Sequence, residues 1–166
     1  AFCVGGNGTT ANVESYNGTS WTETTENNTG RNGLGSAGTT TSGIIFGGNP
    51  YTGITESWNG SAWTEVADLS TVRQQLAGAG TASAALAFGG DTPPVTAATE
   101  EWTGPGAPIG AWSTGGSLNT ARQHSGGAGT TAAGLIFGGG TPSNSALTES
   151  YDGTSWTEVN DLNSAR

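Results

Sequence analysis

The chain contains no lysine, no methionine, one histidine and one cysteine, and only 10% of its 166 residues are charged. Each scarcity removes a class of function. The four basic residues are all arginine, scattered among 13 acidic ones for a net charge of −9. A chain without a basic patch is unsuited to grip nucleic acid or an anionic membrane surface. One cysteine cannot form an intrachain disulfide, so cysteine usage does not report the redox compartment. His124, the sole histidine, has no Cys or His partner for a metal site and no serine elbow beside it for nucleophilic catalysis. No apolar run approaches the roughly 20 residues of a membrane-spanning helix. No signal peptide precedes Ala1, which leaves secretion open, because a mature chain reads the same way.

What the chain has instead is glycine, threonine and tryptophan in strict order. Glycine fills 30 of 166 positions, well over twice the usual share of about 7%. That composition alone is compatible with disorder, but the six tryptophans fall on a repeating grid. Gly-Gly pairs close apolar segments at Gly5-Gly6, Gly47-Gly48, Gly89-Gly90 and Gly138-Gly139. A glutamate follows each pair (Glu14, Glu56, Glu100, Glu149), and two residues later stands Tyr16, Trp58, Trp102 or Tyr151. Next come Trp21, Trp63, Trp112 and Trp156, and ten residues after each stands Arg31, Arg73, Arg122 or Arg166. Length varies only in the segment after Gly-Gly and in the stretch 103–111.

The period is about 40–50 residues, the length of one propeller blade. Each period reads as four short β segments: a small, Gly-rich one (34–39, 76–81, 125–130), an apolar one ending in Gly-Gly, the Glu-x-aromatic segment, and one starting at the Trp. Asn17-Gly18, Asn59-Gly60 and Asp152-Gly153 separate the last two, as pairs that close tight two-residue hairpins. No helical periodicity competes.

These landmarks, in this order and in four in-phase copies, resemble kelch repeats across the whole chain. The resemblance implies an all-β fold: a β-propeller of four-stranded kelch-like blades, each running from hub to rim. About four blades are present, with repeats near 1–31, 32–73, 74–122 and 123–166. The first blade lacks its innermost strand. The sequence departs from the kelch pattern in placing Trp58 and Trp102 in the tyrosine slot and in making the first strand unusually small. Gly/Thr-rich propellers of this kind occur on phage and bacterial surfaces, and by that analogy an extracellular or virion location is expected.

The grid assigns roles. The ring residues are expected between blades, where each buries about 150–250 Å². The small residues of 78–80 and 127–129 suit a crowded hub. Cys3 shares a slot with Ile45, Ala87 and Ile136, which makes it an apolar core residue, and His124 is surface decoration. The Glu and Arg sets match in number and are expected to pair. Four equivalent carboxylates do not make a glycosidase, which needs one acid and one base in different environments. No enzyme activity, cofactor or metal is expected. Asn7, Asn17, Asn27 and Asn59 head N-glycosylation sequons, although turn chemistry also accounts for Asn17 and Asn59. Recognition falls to the variable loops 7–12, 49–54, 91–98 and 140–146 and to the insertion 103–111. Tyr51, an aromatic off the grid, is the candidate ligand-binding residue. The expected function is a non-catalytic structural and interaction module, with a lectin-like, glycan-binding module as the alternative. Its partners would be proteins, a second copy through the open edge of the first blade, or surface glycans.

Overall fold

The computed structural model describes residues 1–6, 8–104 and 110–166. Short apolar segments punctuated by glycine cannot sustain helices, and they form antiparallel meanders. The first sheet holds three strands, β1 (Phe2–Val4), β2 (Val13–Tyr16) and β3 (Trp21–Glu23), in that spatial order. The second is β4 (Gly35–Gly38), β5 (Gly43–Phe46), β6 (Thr55–Trp58) and β7 (Trp63–Val66). The third is β8 (Ala77–Thr81), β9 (Ala84–Phe88), β10 (Thr99–Thr103) and β11 (Ala111–Thr114). The fourth opens with β12 (Gly126–Thr130) and β13 (Ala133–Phe137). A small side hairpin follows, β14 (Gly140–Thr141) with β15 (Ser143–Asn144), before β16 (Thr148–Tyr151) and β17 (Trp156–Glu158) complete the sheet. The sheets are blade-like units, and the first has three strands as expected. Among the described residues, β1 pairs only with β2.

Blades stack through both faces, because alternate side chains of a strand point to opposite sides. Ile44 and Phe46 of β5 cluster with Ala85, Ala87, Trp102 and Trp112 of the third blade, while Ile45 of the same strand clusters with Val13 of the first. Leu86 and Phe88 pack in turn on Ile136, Tyr151 and Trp156 of the fourth. Each blade thus has a leading face toward its predecessor and a trailing face toward its successor.

The hub depends on the absence of side chains. Strands β4, β8 and β12 lie side by side. A Cβ on Gly78 would stand 2.5 Å from the Ser36 carbonyl oxygen, and one on Gly127 would stand 2.7 Å from that of Gly78. A cavity of ≈ 860 Å³ lies where the hairpin tips at Ala79, Gly80, Ala128 and Gly129 face β1 and the β4–β5 hairpin. Above it runs a backbone ladder: the Gln75 N–H donates to the Gly33 carbonyl (2.6 Å) and the His124 N–H to the Gln75 carbonyl (3.0 Å). Gln75 and His124 adopt φ 56° to make it. His124 is exposed as expected, but its backbone forms part of the hub.

The Gly-Gly pairs have a separate cause. Their first members take φ of 71°, 65°, 63° and 67°, and the second glycine of the later three donates its N–H to an Arg carbonyl (Gly48 to Arg73, Gly90 to Arg122, Gly139 to Arg166). A Cβ on Gly89 would sit 2.5 Å from the Arg122 oxygen.

Two expectations require correction. Cys3 is exposed, unlike its buried counterparts Ile45, Ala87 and Ile136. It points from the leading face of the first blade, which no other blade covers. The Asn-Gly turns are also displaced by one residue. Asn17 precedes the two-residue loop: its N–H donates to Ser20, and its side-chain oxygen accepts from the Thr19 and Ser20 N–H groups. Asn59 and Asp152 repeat this arrangement, and of each pair only the glycine has positive φ.

Gly89→Ala combines left-handed strain with a backbone clash, and it is expected to lower stability by about 2 kcal/mol. Urea unfolding checks this; an unchanged midpoint contradicts it.

Candidate functional site

The chemistry-bearing residues meet in the clefts between blades. Arg31, Arg73 and Arg122 each leave the end of one blade and enter the next. The Arg31 Nη1 donates to Glu56 Oε1 at 2.6 Å, the Arg73 Nη2 to Glu100 Oε1 at 3.0 Å, and the Arg122 Nη2 to Glu149 Oε1 at 2.5 Å. All six side chains are buried. The carboxylates gain further donors from the preceding blade: Asn28 N–H on Glu56, Ser70 N–H on Glu100 and Asn119 N–H on Glu149, each at 2.7 Å. Arg73 also donates to the carbonyls of Gly89, Ala98 and Ala87, and Arg122 to that of Leu147. Burial pulls the Arg73 and Arg122 guanidiniums below the ordinary arginine value, and their glutamates offset part of that shift. The Glu–Arg pairing read from the sequence holds for these three pairs, which join blades rather than strands, and fails for Glu14 and Arg166, which form no ion pair among the described residues.

A second contact repeats with the same period. The Trp112 Nε1–H donates to Thr55 Oγ1 (3.1 Å), and the Trp156 Nε1–H to Thr99 Oγ1 (3.0 Å). Each indole also meets a phenylalanine of the preceding blade edge-on: Phe46 with Trp112 at 4.9 Å and Phe88 with Trp156 at 5.2 Å. Trp63 faces Val13, whose side chain cannot accept a hydrogen bond, and it donates to the Thr25 carbonyl instead. Tyr151 donates to Glu101 of the third blade. Its hydroxyl is pushed up to about 12, first by burial and then by that bond. The expectation of rings between blades holds for the second, third and fourth blades. It fails for the first, where Tyr16 is 36% and Trp21 50% exposed, because nothing covers their face.

The variable loops form the other candidate surface. Tyr51 is 40% exposed and donates its hydroxyl to Asp91 on the third blade's loop. That bond raises its pKa above the usual tyrosine value. The contact ties two variable loops together while leaving the ring face open, and no spacing rule could have paired these residues. Beside it, Pro94, Val95, Asn119, Gln123, Thr141 and Pro142 line a groove of ≈ 580 Å³ between the third and fourth blades. Asn17 and Asn59 are exposed at turns. Asn27 is buried, with its Nδ2 donating to the Thr29 carbonyl at 2.5 Å, so the atom that would carry a glycan is engaged in the folded chain. Asn7 lies outside the described residues, as does most of the insertion 103–111.

Among the described residues, no three His, Cys, Asp or Glu side chains converge to hold a metal, and no helix is long and apolar enough to cross a membrane. No family profile matches the chain, and no curated protein matches it either.

Arg73→Ala strands Glu100 in the core and is expected to cost about 3–5 kcal/mol. Arg166→Ala, at the exposed end of the same series, is expected to stay within about 0.5 kcal/mol in dilute solution. Equal losses in urea unfolding contradict this contrast. Tyr151 holds its proton to about pH 12 when folded but only to about 10 when unfolded. Between those values the folded state binds more protons, so stability falls as pH rises. Unfolding free energies at pH 9 and 11 are expected to drop further for the wild type than for Tyr151→Phe; parallel behaviour contradicts the assignment.

Proposed function

We propose that the chain is a structural and interaction module: a rigid arc of kelch-like propeller blades, without catalysis of its own, that serves an extracellular or virion assembly by displaying its variable loops. The observation that carries this reading is the division of labour among residues. Every buried carboxylate and guanidinium is committed to holding blades together, in three near-identical environments. A glycosidase requires two carboxyl groups whose environments differ. Length varies only in the loops between strands, and loops are where binding residues collect on a fixed scaffold. Low charge, an acidic balance and abundant Thr and Gly agree with surface propellers of phage and bacteria, an association that supports the location by analogy.

The second reading is glycan recognition at the variable loops. It is favoured by Tyr51, whose exposed ring beside Asp91 combines a stacking face with a hydrogen-bonding carboxylate. One glycan array separates the two. The structural and protein-binding reading expects no glycan above background for the wild type. A signal that disappears in Tyr51→Ala would transfer the function to sugar binding.

A further inference from the structure

The second and third interblade clefts share a template, and the exposed faces of the first and fourth blades each carry one half of it. A cleft needs from the preceding blade a phenylalanine, a threonine hydroxyl and an arginine; from the following blade it needs a glutamate and a tryptophan. At the second cleft these are Phe46, Thr55 and Arg73 against Glu100 and Trp112. At the third they are Phe88, Thr99 and Arg122 against Glu149 and Trp156. The fourth blade ends in the next donor half: Phe137, Thr148 and Arg166 occupy the same positions. The first blade begins with the acceptor half: Glu14 and Trp21.

Both halves are unpartnered. Glu14 and Arg166 are exposed and enter no ion pair among the described residues, whereas the other three pairs are buried. Trp21 is 50% exposed, whereas Trp112 and Trp156 are buried. The decisive atom is Thr148 Oγ1. It is buried, on a residue only 6% exposed, and has no hydrogen-bond partner. Thr55 and Thr99 at the same position accept an indole N–H from the next blade. A buried hydroxyl without a partner is disfavoured, and the group that satisfies its counterparts is the one that stands idle at the other end.

We propose that a second copy of this chain docks head to tail, seating its Trp21 and Glu14 on Phe137, Thr148 and Arg166. The match of charge, hydrogen-bond polarity and ring shape selects this occupant over an unrelated apolar partner. A heterologous contact made twice between two copies closes a ring. The proposal rests on the structural-module reading and specifies the partner. Its test reads mass, not glycan binding, so either can fail alone.

Sedimentation of the wild type at about 100 μM, a concentration that populates a micromolar complex, is expected to show twice the chain mass. Glu14→Arg or Arg166→Glu alone is expected to sediment as a monomer, and both changes in one chain are expected to restore the dimer. Trp21→Phe and Thr148→Val each remove one hydrogen bond and are expected to weaken association by up to about tenfold. Thr148→Val also relieves the unpaired hydroxyl, so its monomer is expected to melt no lower than the wild type. Cys3, on the docking face, is expected to react with a maleimide slowly in the wild type and quickly in Arg166→Glu. A monomeric wild type, a dimer indifferent to the charge reversals, or equal Cys3 reactivity in both proteins would overturn the proposal.

Discussion

The buried arginine–glutamate pair between adjacent blades is the constraint on which the rest depends. Arg73 and Arg122 each end a repeat, and their carbonyls accept from the Gly-Gly turn while their guanidiniums reach the glutamate of the next blade. One residue thereby fixes both the end of one sheet and the position of its neighbour. Isolated buried ion pairs often do no better than apolar replacements, because desolvation offsets their attraction. Here the carboxylate also caps backbone N–H groups of the preceding blade, as Glu56 does for Asn28 and Thr29. Those amides would otherwise be orphaned in the cleft.

This constraint explains the composition. A chain poor in aliphatics gains its apolar contact from rings, three per blade, layered against small residues. Glycine follows for two distinct reasons. At the hub it admits neighbouring strands, and beside each arginine it admits the arginine carbonyl. Both members of each Gly-Gly pair take positive φ, as do Gly38, Gly80 and Gly129 at the hub hairpin tips, whereas Gly78 and Gly127 are fixed by space alone.

Much of this was legible in the sequence, because interactions that recur with the blade leave a periodic trace. The strand segments, the ring positions and the numerical match of Glu14, Glu56, Glu100 and Glu149 with the four arginines all lie on the grid. Features that depend on a neighbour's presence were not legible. Cys3, Tyr16 and Trp21 occupy core slots by register but face no blade, and register alone cannot say whether a face is covered. The turn at Asn17 was misplaced by one residue because the pair Asn-Gly also suits a loop in which the asparagine caps from outside. Tyr51 and Asp91 come from two loops with no counterpart elsewhere, so their contact left no repeat to read.

A double-mutant cycle at Arg122 and Glu149 tests the central claim most directly. The account predicts that Arg122→Met and Glu149→Leu each destabilise strongly, and that the double variant recovers part of the loss, with a coupling of about 2 kcal/mol. Single effects that add within about 0.5 kcal/mol would mean that the pair does not hold the blades together.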